Sequence, residues 1–205
     1  LDKVFGASSS SFTVNFTGSE KSDYIKGHNA GGIFDGNGGN DVINLTANSA
    51  KDIVVLGSVL DDAGTTKPAN VATISNFATG ANEDVIDFAG VLNGFGSEGF
   101  VSHASAVIEQ SYFENKGDFS AGKNVVFFTD ALASAVESHV KEDVTVDFIL
   151  IAANKSGNDL NVWYVEGNGE AASNFTLVSV INNSSLATDT LTATNFTAAN
   201  FDPFA

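Results

Sequence analysis

From Gly18 onward, a large apolar residue recurs at every ninth position: Ile25, Phe34 and Ile43. The blocks GSEKSDYIK, GHNAGGIFD and GNGGNDVIN follow one another without a gap, each opening on glycine (Gly18, Gly27, Gly36) with the apolar residue eighth. Position six is Asp23, Gly32 and Asp41. The preceding block, SSSFTVNFT, keeps only the apolar eighth position, Phe16, and the following one brings Asp52 and Val54 into phase if two residues are inserted after Asn44. This period predicts a turn of about six residues followed by a strand of about three, and two such units complete a coil of about eighteen residues. The apolar eighth residue of each strand points inward. Glycines supply the backbone angles that a Cβ would forbid in the turns.

Beyond the repeats, β-branched and aromatic runs at Ile53–Leu56, 124–129, 144–152, 161–165 and 175–181 predict strands. Turn chemistry separates them, at Gly157-Asn158-Asp159, Gly167-Asn168-Gly169 and Asn182-Asn183. These runs read as antiparallel β, and their spacing predicts a roll passing into a sandwich. One segment differs: 130–141 places Leu132, Ala135, Val136 and Val140 near a helical stripe, with Thr129 or Asp130 as N-cap. The expected fold is therefore mainly β, a short parallel β-roll over residues 1–56 running into an antiparallel β-sandwich over 57–205, with one short helix. The stretch 61–67 reads as a loop, and the whole as one continuous structural unit.

Composition narrows the partners. The 205 residues hold 25 acids against 9 bases, all lysine, for a net charge of −16. That negative field, without a guanidinium group, argues against nucleic acid and anionic membrane surfaces and favours cations. The chain has no cysteine, which removes disulfides, thiolate metal sites and a cysteine nucleophile. No run of 18 apolar residues predicts a membrane span. Methionine is absent even at position 1, so the chain reads as an excised or processed product.

The candidate chemistry lies in the turns. Asp23 and Asp41 are eighteen residues apart, one full coil, so they stack on the same side. The segments Gly18–Ser22 and Gly36–Asn40 line the space between them. Two carboxylates with loop carbonyls supply the six to eight oxygens, at about 2.3–2.6 Å, that calcium takes. The expected ligand set is Asp23 and Asp41 with Gly18, Glu20, Gly36, Gly38 and Asn40. Counted without the insertion, position six on the opposite side is Val14, Gly32 and Ala50. No carboxylate would stand there, which predicts one site rather than a ladder, with Asp52 as a turn or cap residue. Asp84 and Asp87 form a second candidate metal site.

GNGGNDVIN departs from the calcium-binding nonapeptide G-G-x-G-x-D-x-U-x of RTX proteins at Asn37 alone. The chain resembles the C-terminal portion of an RTX protein exported by type I secretion. Val71–Gly90 is similar to the segment that follows the repeats in serralysin-type tails, with its early acids replaced by Ala72 or Thr73 and by Asn76 while Asp84 and Asp87 remain. NFTLVSVINNSSLATDTLTATNF resembles the paired terminal strands of those tails, and Phe201-Asp202-Pro203-Phe204-Ala205 their export terminus. The resemblance implies calcium as cofactor, the type I secretion machinery as a partner, and a secreted, extracellular or cell-surface location.

Catalysis has no matching pattern. His28, His103 and His139 lie in no HExxH arrangement, and His28, in a repeat turn, is expected to be exposed. No GxSxG elbow accompanies the serines. Trp163 and Tyr164 alternate with Val and Asn as strand cores do. The reading is a non-enzymatic, calcium-stabilised C-terminal module of a secreted bacterial surface protein, of S-layer or adhesin type. Self-assembly or cell-surface polysaccharide would be its further partners. The alternatives are the secretion tail of a serralysin-like protease or lipase with its catalytic domain upstream, and an adhesin module gripping carbohydrate or ice.

Overall fold

The computed structural model of the 205-residue chain describes residues 2–3, 14–46, 50–57, 71–79, 84–88, 100–103, 125–128, 136–141, 143–145, 147–153, 159–167, 175–182 and 200. In chain order the strands are β1 (Asp2–Lys3), β2 (Val14–Thr17), β3 (Tyr24–Lys26), β4 (Gly32–Asp35), β5 (Val42–Asn44), β6 (Asp52–Val55), β7 (Ala72–Ser75) and β8 (Val85–Asp87). They continue as β9 (Phe100–His103), β10 (Val125–Phe128), β11 (Phe148–Ala153), β12 (Asp159–Val165) and β13 (Phe175–Asn182). The protein is mainly β.

The first eight strands alternate between two sheets. Strands β1, β3, β5 and β7 pair in parallel in one, and β2, β4, β6 and β8 pair in parallel in the other. The alternation follows from the turns. A six-residue turn leaving a three-residue strand carries the chain across to the other layer, so hydrogen-bonding neighbours lie one full coil apart in sequence. The registers Phe16↔Phe34 and Ile25↔Ile43 are eighteen residues, and Phe34↔Val54 is twenty, the two-residue insertion after Asn44. Inward-facing Ile25, Phe34, Ile43 and Val54 are each 2% exposed or less, so the apolar eighth position forms the core between the layers.

The first sheet does not stop at β7. Its order is β1-β3-β5-β7-β13-β12-β11-β10-β9, nine strands in all. β11·β12 and β12·β13 are antiparallel, whereas β7·β13, β9·β10 and β10·β11 are parallel. The expectation of antiparallel pairing after the repeats therefore needs correction. It holds for three strands, but β6 belongs to the parallel winding and β10 lies parallel to both its neighbours. Strand composition specifies a pleated, buried environment and is silent on the direction of the neighbour. β11, Phe-Ile-Leu-Ile-Ala-Ala, is apolar on both faces because both are covered: Ile149 and Ile151 enter the inter-sheet core, while Phe148, Leu150 and Ala152 enter a second cluster with Phe128, Val144 and Val165.

The helix expected over 130–141 is also corrected where it is described. Val136–His139 is a single 3-10 turn, and Val140 makes a β-bridge. Residues 130–135 fall outside the described set. Two β-branched valines and a serine in this run lower helical preference, and His139 packs edge-on against the Phe128 ring with centroids 5.9 Å apart. Among the described residues no helix is long and apolar enough to cross a membrane.

Candidate metal centre

The turns 18–23 and 36–41 both lead from the second sheet to the first, and the register Tyr24↔Val42 lays one over the other. They are bonded directly. The Asp23 amide donates to Asp41 Oδ1 at 2.8 Å, the Asn40 amide to Ser22 Oγ at 3.1 Å, and the Gly38 amide to the Ser19 carbonyl at 3.2 Å. Asp23 Oδ2 in turn accepts the Ser19 amide at 2.6 Å and the Ser19 hydroxyl at 2.8 Å. The structure thus brings Asp23 and Asp41 together across one coil. The Asn40 side chain is committed to the next coil, accepting the Val71 amide at 3.0 Å, and Glu20 stands exposed.

The glycines sit where carboxylates need room. A Cβ on Gly36 would fall 2.8 Å from Asp41 Cγ and overlap its Oδ2, and a Cβ on Gly18 would fall 2.9 Å from Asp23 Oδ2 and 2.5 Å from the Gly36 carbonyl oxygen. Gly39 adopts φ +93°, which favours glycine. Asn37, the one departure from the nonapeptide, takes φ +69°, a left-handed conformation that asparagine tolerates.

Asp41 is 4% exposed. Burial raises its pKa above the ordinary carboxylate value; the Asp23 amide opposes this, and the charges of Asp23 and Asp35 add to it. Alongside these backbone amides the turns bring together the Asp23 and Asp41 carboxylates, the Ser19 and Ser22 hydroxyls and the Ser19 and Gly36 carbonyls, oxygens of the type a hard divalent cation takes. Among the described residues no three His, Cys, Asp or Glu side chains converge.

On the opposite side the expected column of Val14, Gly32 and Ala50 is corrected. The registers Val14↔Gly32↔Asp52, and Ile53↔Val85 beyond, make it Val14, Gly32, Asp52 and Asp84. The Asp52 amide donates to Asp84 Oδ1 at 2.9 Å, the same relation that joins Asp23 to Asp41. Asp84 Oδ2 accepts the Ala78 amide at 2.7 Å. Asp84 is 2% exposed and Asp52 0%. Asp87, an odd number of residues along, faces the other way from Asp84 at the end of β8. Asp52 is thus no exposed turn residue but a buried acid.

Burial lifts the Asp52 carboxyl to about 7, the Asp84 charge adds to this, and the Gly32 amide opposes it. An acid whose pKa is higher folded than unfolded keeps a proton that the unfolded chain releases, so stability falls as pH rises through this interval. Without added metal, the free energy of unfolding should therefore drop between pH 4 and 7, at no more than about 1.4 kcal/mol per pH unit from this group. Urea titrations across that range should show the drop, and Asp52→Asn should flatten it. An equal slope in the variant would refute the assignment.

Two further sequence candidates are buried and hydrogen-bonded. His28 is 4% exposed, not solvated as expected, because its Nδ1 accepts the Ala30 amide at 3.1 Å and folds the ring into the turn. Tyr164, 2% exposed, donates to Asp147 Oδ2 at 2.9 Å, and burial raises its phenol pKa further from neutrality. Comparison with protein-family models, with curated proteins and with solved structures finds no match to this chain.

Proposed function

We propose that this chain is a non-enzymatic, calcium-stabilised module of a secreted bacterial surface protein, of S-layer or adhesin type, in which a calcium-binding β-roll runs into a β-sandwich. One observation carries the reading: a nearly buried carboxylate, Asp41, lies against the amide of the acid one coil before it, in glycine-rich turns that also bring together hydroxyl and carbonyl oxygens. Without a cation the paired charges repel, and glycine-rich turns cost the most chain entropy to order. Where calcium is scarce, inside the cell, the winding stays loose and exportable by a type I system. At the millimolar levels outside, Asp23 and Asp41 with the Gly36 and Ser19 carbonyls hold the ion and the coils lock. Extracellular modules of this kind bind at about 10⁻⁴–10⁻³ M.

The test is thermal unfolding of the full chain in EGTA and in rising CaCl2. Binding to the folded form alone adds about 2.7 kcal/mol at a hundredfold excess over Kd. The wild-type Tm should climb with calcium, and Asp41→Asn should blunt the climb. A wild-type Tm that is the same in EGTA and in millimolar calcium overturns the proposal.

A further inference from the structure

The winding buries a second acidic pair that the nonapeptide pattern does not mark. The sequence before Asp52, Leu45 to Lys51, has no glycine, and that between Ala78 and Asp84 has one, Gly80, so neither carries the glycine spacing of the Asp41 turn. Both Asp84 carboxylate oxygens accept backbone amides, from Asp52 and Ala78. Asp52 differs. Both of its carboxylate oxygens are buried and meet no hydrogen-bond donor among the described residues, the Gly32 amide lying near but out of bonding geometry. A carboxylate at 0% exposure with no donor costs several kcal/mol, and its nearest acid, Asp84, adds a like charge instead of relieving it.

We infer that Asp52 and Asp84 hold a second divalent cation, of the calcium class, on the side of the winding opposite Asp23 and Asp41. The two pairs share one construction: the acid at the entry of one strand gives its amide to the carboxylate at the entry of the strand one coil later. In both, this places two acids on successive coils, in a chain without a thiol. A cation satisfies the open Asp52 oxygens and offsets the Asp52–Asp84 repulsion at once. Because the pair joins β6 to β8, an ion here pins the last coil of the second sheet, as the first ion would pin the earlier ones.

The test uses the full chain, with CaCl2 as the probe and calorimetry plus melting as readouts, on wild type, Asp52→Asn, Asp41→Asn and the double variant. Asn is close in shape to Asp and removes the buried charge, so Asp52→Asn should fold in EGTA at least as well as wild type. It should bind one equivalent of Ca2+ fewer than wild type and show a smaller calcium-induced rise in Tm, and Asp41→Asn should retain the equivalent that Asp52→Asn loses. If Asp52→Asn binds as much calcium as wild type and changes only the pH dependence of stability, the pocket takes a proton only and the inference falls. Loss of binding in Asp52→Asn with none in Asp41→Asn would sustain this site while removing the one at Asp23 and Asp41.

Discussion

Gly36→Ala is expected to destabilise the folded chain by about 2–4 kcal/mol, in the upper range of single substitutions. The backbone is not the cause, since Gly36 lies outside the left-handed region that penalises alanine. The cause is the seat of Asp41. The new methyl would overlap Asp41 Oδ2 and crowd Cγ, forcing the carboxylate off the Asp23 amide that it accepts at 2.8 Å. Displacement strands that amide between stacked turns and leaves a nearly buried acid without its donor. A double-mutant cycle isolates the contact. In an Asp41→Ala background the Oδ2 and Cγ overlaps are gone and only the Cβ contact at 3.1 Å remains, so Gly36→Ala should then cost less than about 1 kcal/mol. Urea unfolding of the four chains gives the coupling energy directly. Additive costs would mean that Gly36 is conserving something other than room for the carboxylate.

The cycle addresses the part of the molecule most legible from sequence. Turn and strand in each nine-residue block are local, so the spacing of Ile25, Phe34 and Ile43 places them in the core. What obscured the second acidic pair was length. Two residues inserted after Asn44 shift the frame, and a longer connection separates β6 from β7. A shorter signal survives these insertions: an acid followed by two apolar residues at each strand entry, as Asp23-Tyr24-Ile25, Asp41-Val42-Ile43, Asp52-Ile53-Val54 and Asp84-Val85-Ile86. Within the winding that tripeptide marks the column, since the acid and the second apolar residue sit on the same face of an extended chain; Asp147-Phe148-Ile149 carries it at the entry of β11, outside the winding. A strict nine-residue count cannot see it. His28 departs from expectation for a different reason: a turn position suggests solvent, but the ring Nδ1 accepts the amide two residues ahead, which draws it inward.

The sheet order was the least legible feature, because it depends on contacts between distant segments. β13 lies beside β7, with Ser179 Oγ donating to the Ala72 carbonyl at 2.8 Å across 107 residues. Nothing in either strand's composition names the other. Yet the meeting is well made. Registers run Ile25↔Ile43↔Ile74↔Ile181↔Leu160, a row of branched side chains crossing from the winding into the antiparallel strands, each 2% exposed or less.

Ile74→Ala should therefore cost about 2–5 kcal/mol, the range for truncating a fully buried isoleucine that cannot be backfilled. Its consequence should not stay local. Ile74 is 0% exposed and pairs with Ile43 on one side and Ile181 on the other, so the cavity opens where the two halves of the sheet join. Trp163, the chain's single tryptophan, sits two strands away in β12, opposite Leu177 of β13, and reports that half by fluorescence. Far-UV circular dichroism reports the strands of both. If the row of isoleucines couples them, both probes should move to lower urea together, with coincident midpoints in wild type and variant. A tryptophan midpoint that stays at its wild-type value while the dichroism transition splits would show that the winding and the antiparallel strands unfold as separate units despite their shared sheet. Coincidence would mean that any ion fastening the early coils also stabilises β11 to β13, because a ligand that binds only the folded state stabilises the whole of whatever unfolds with its site.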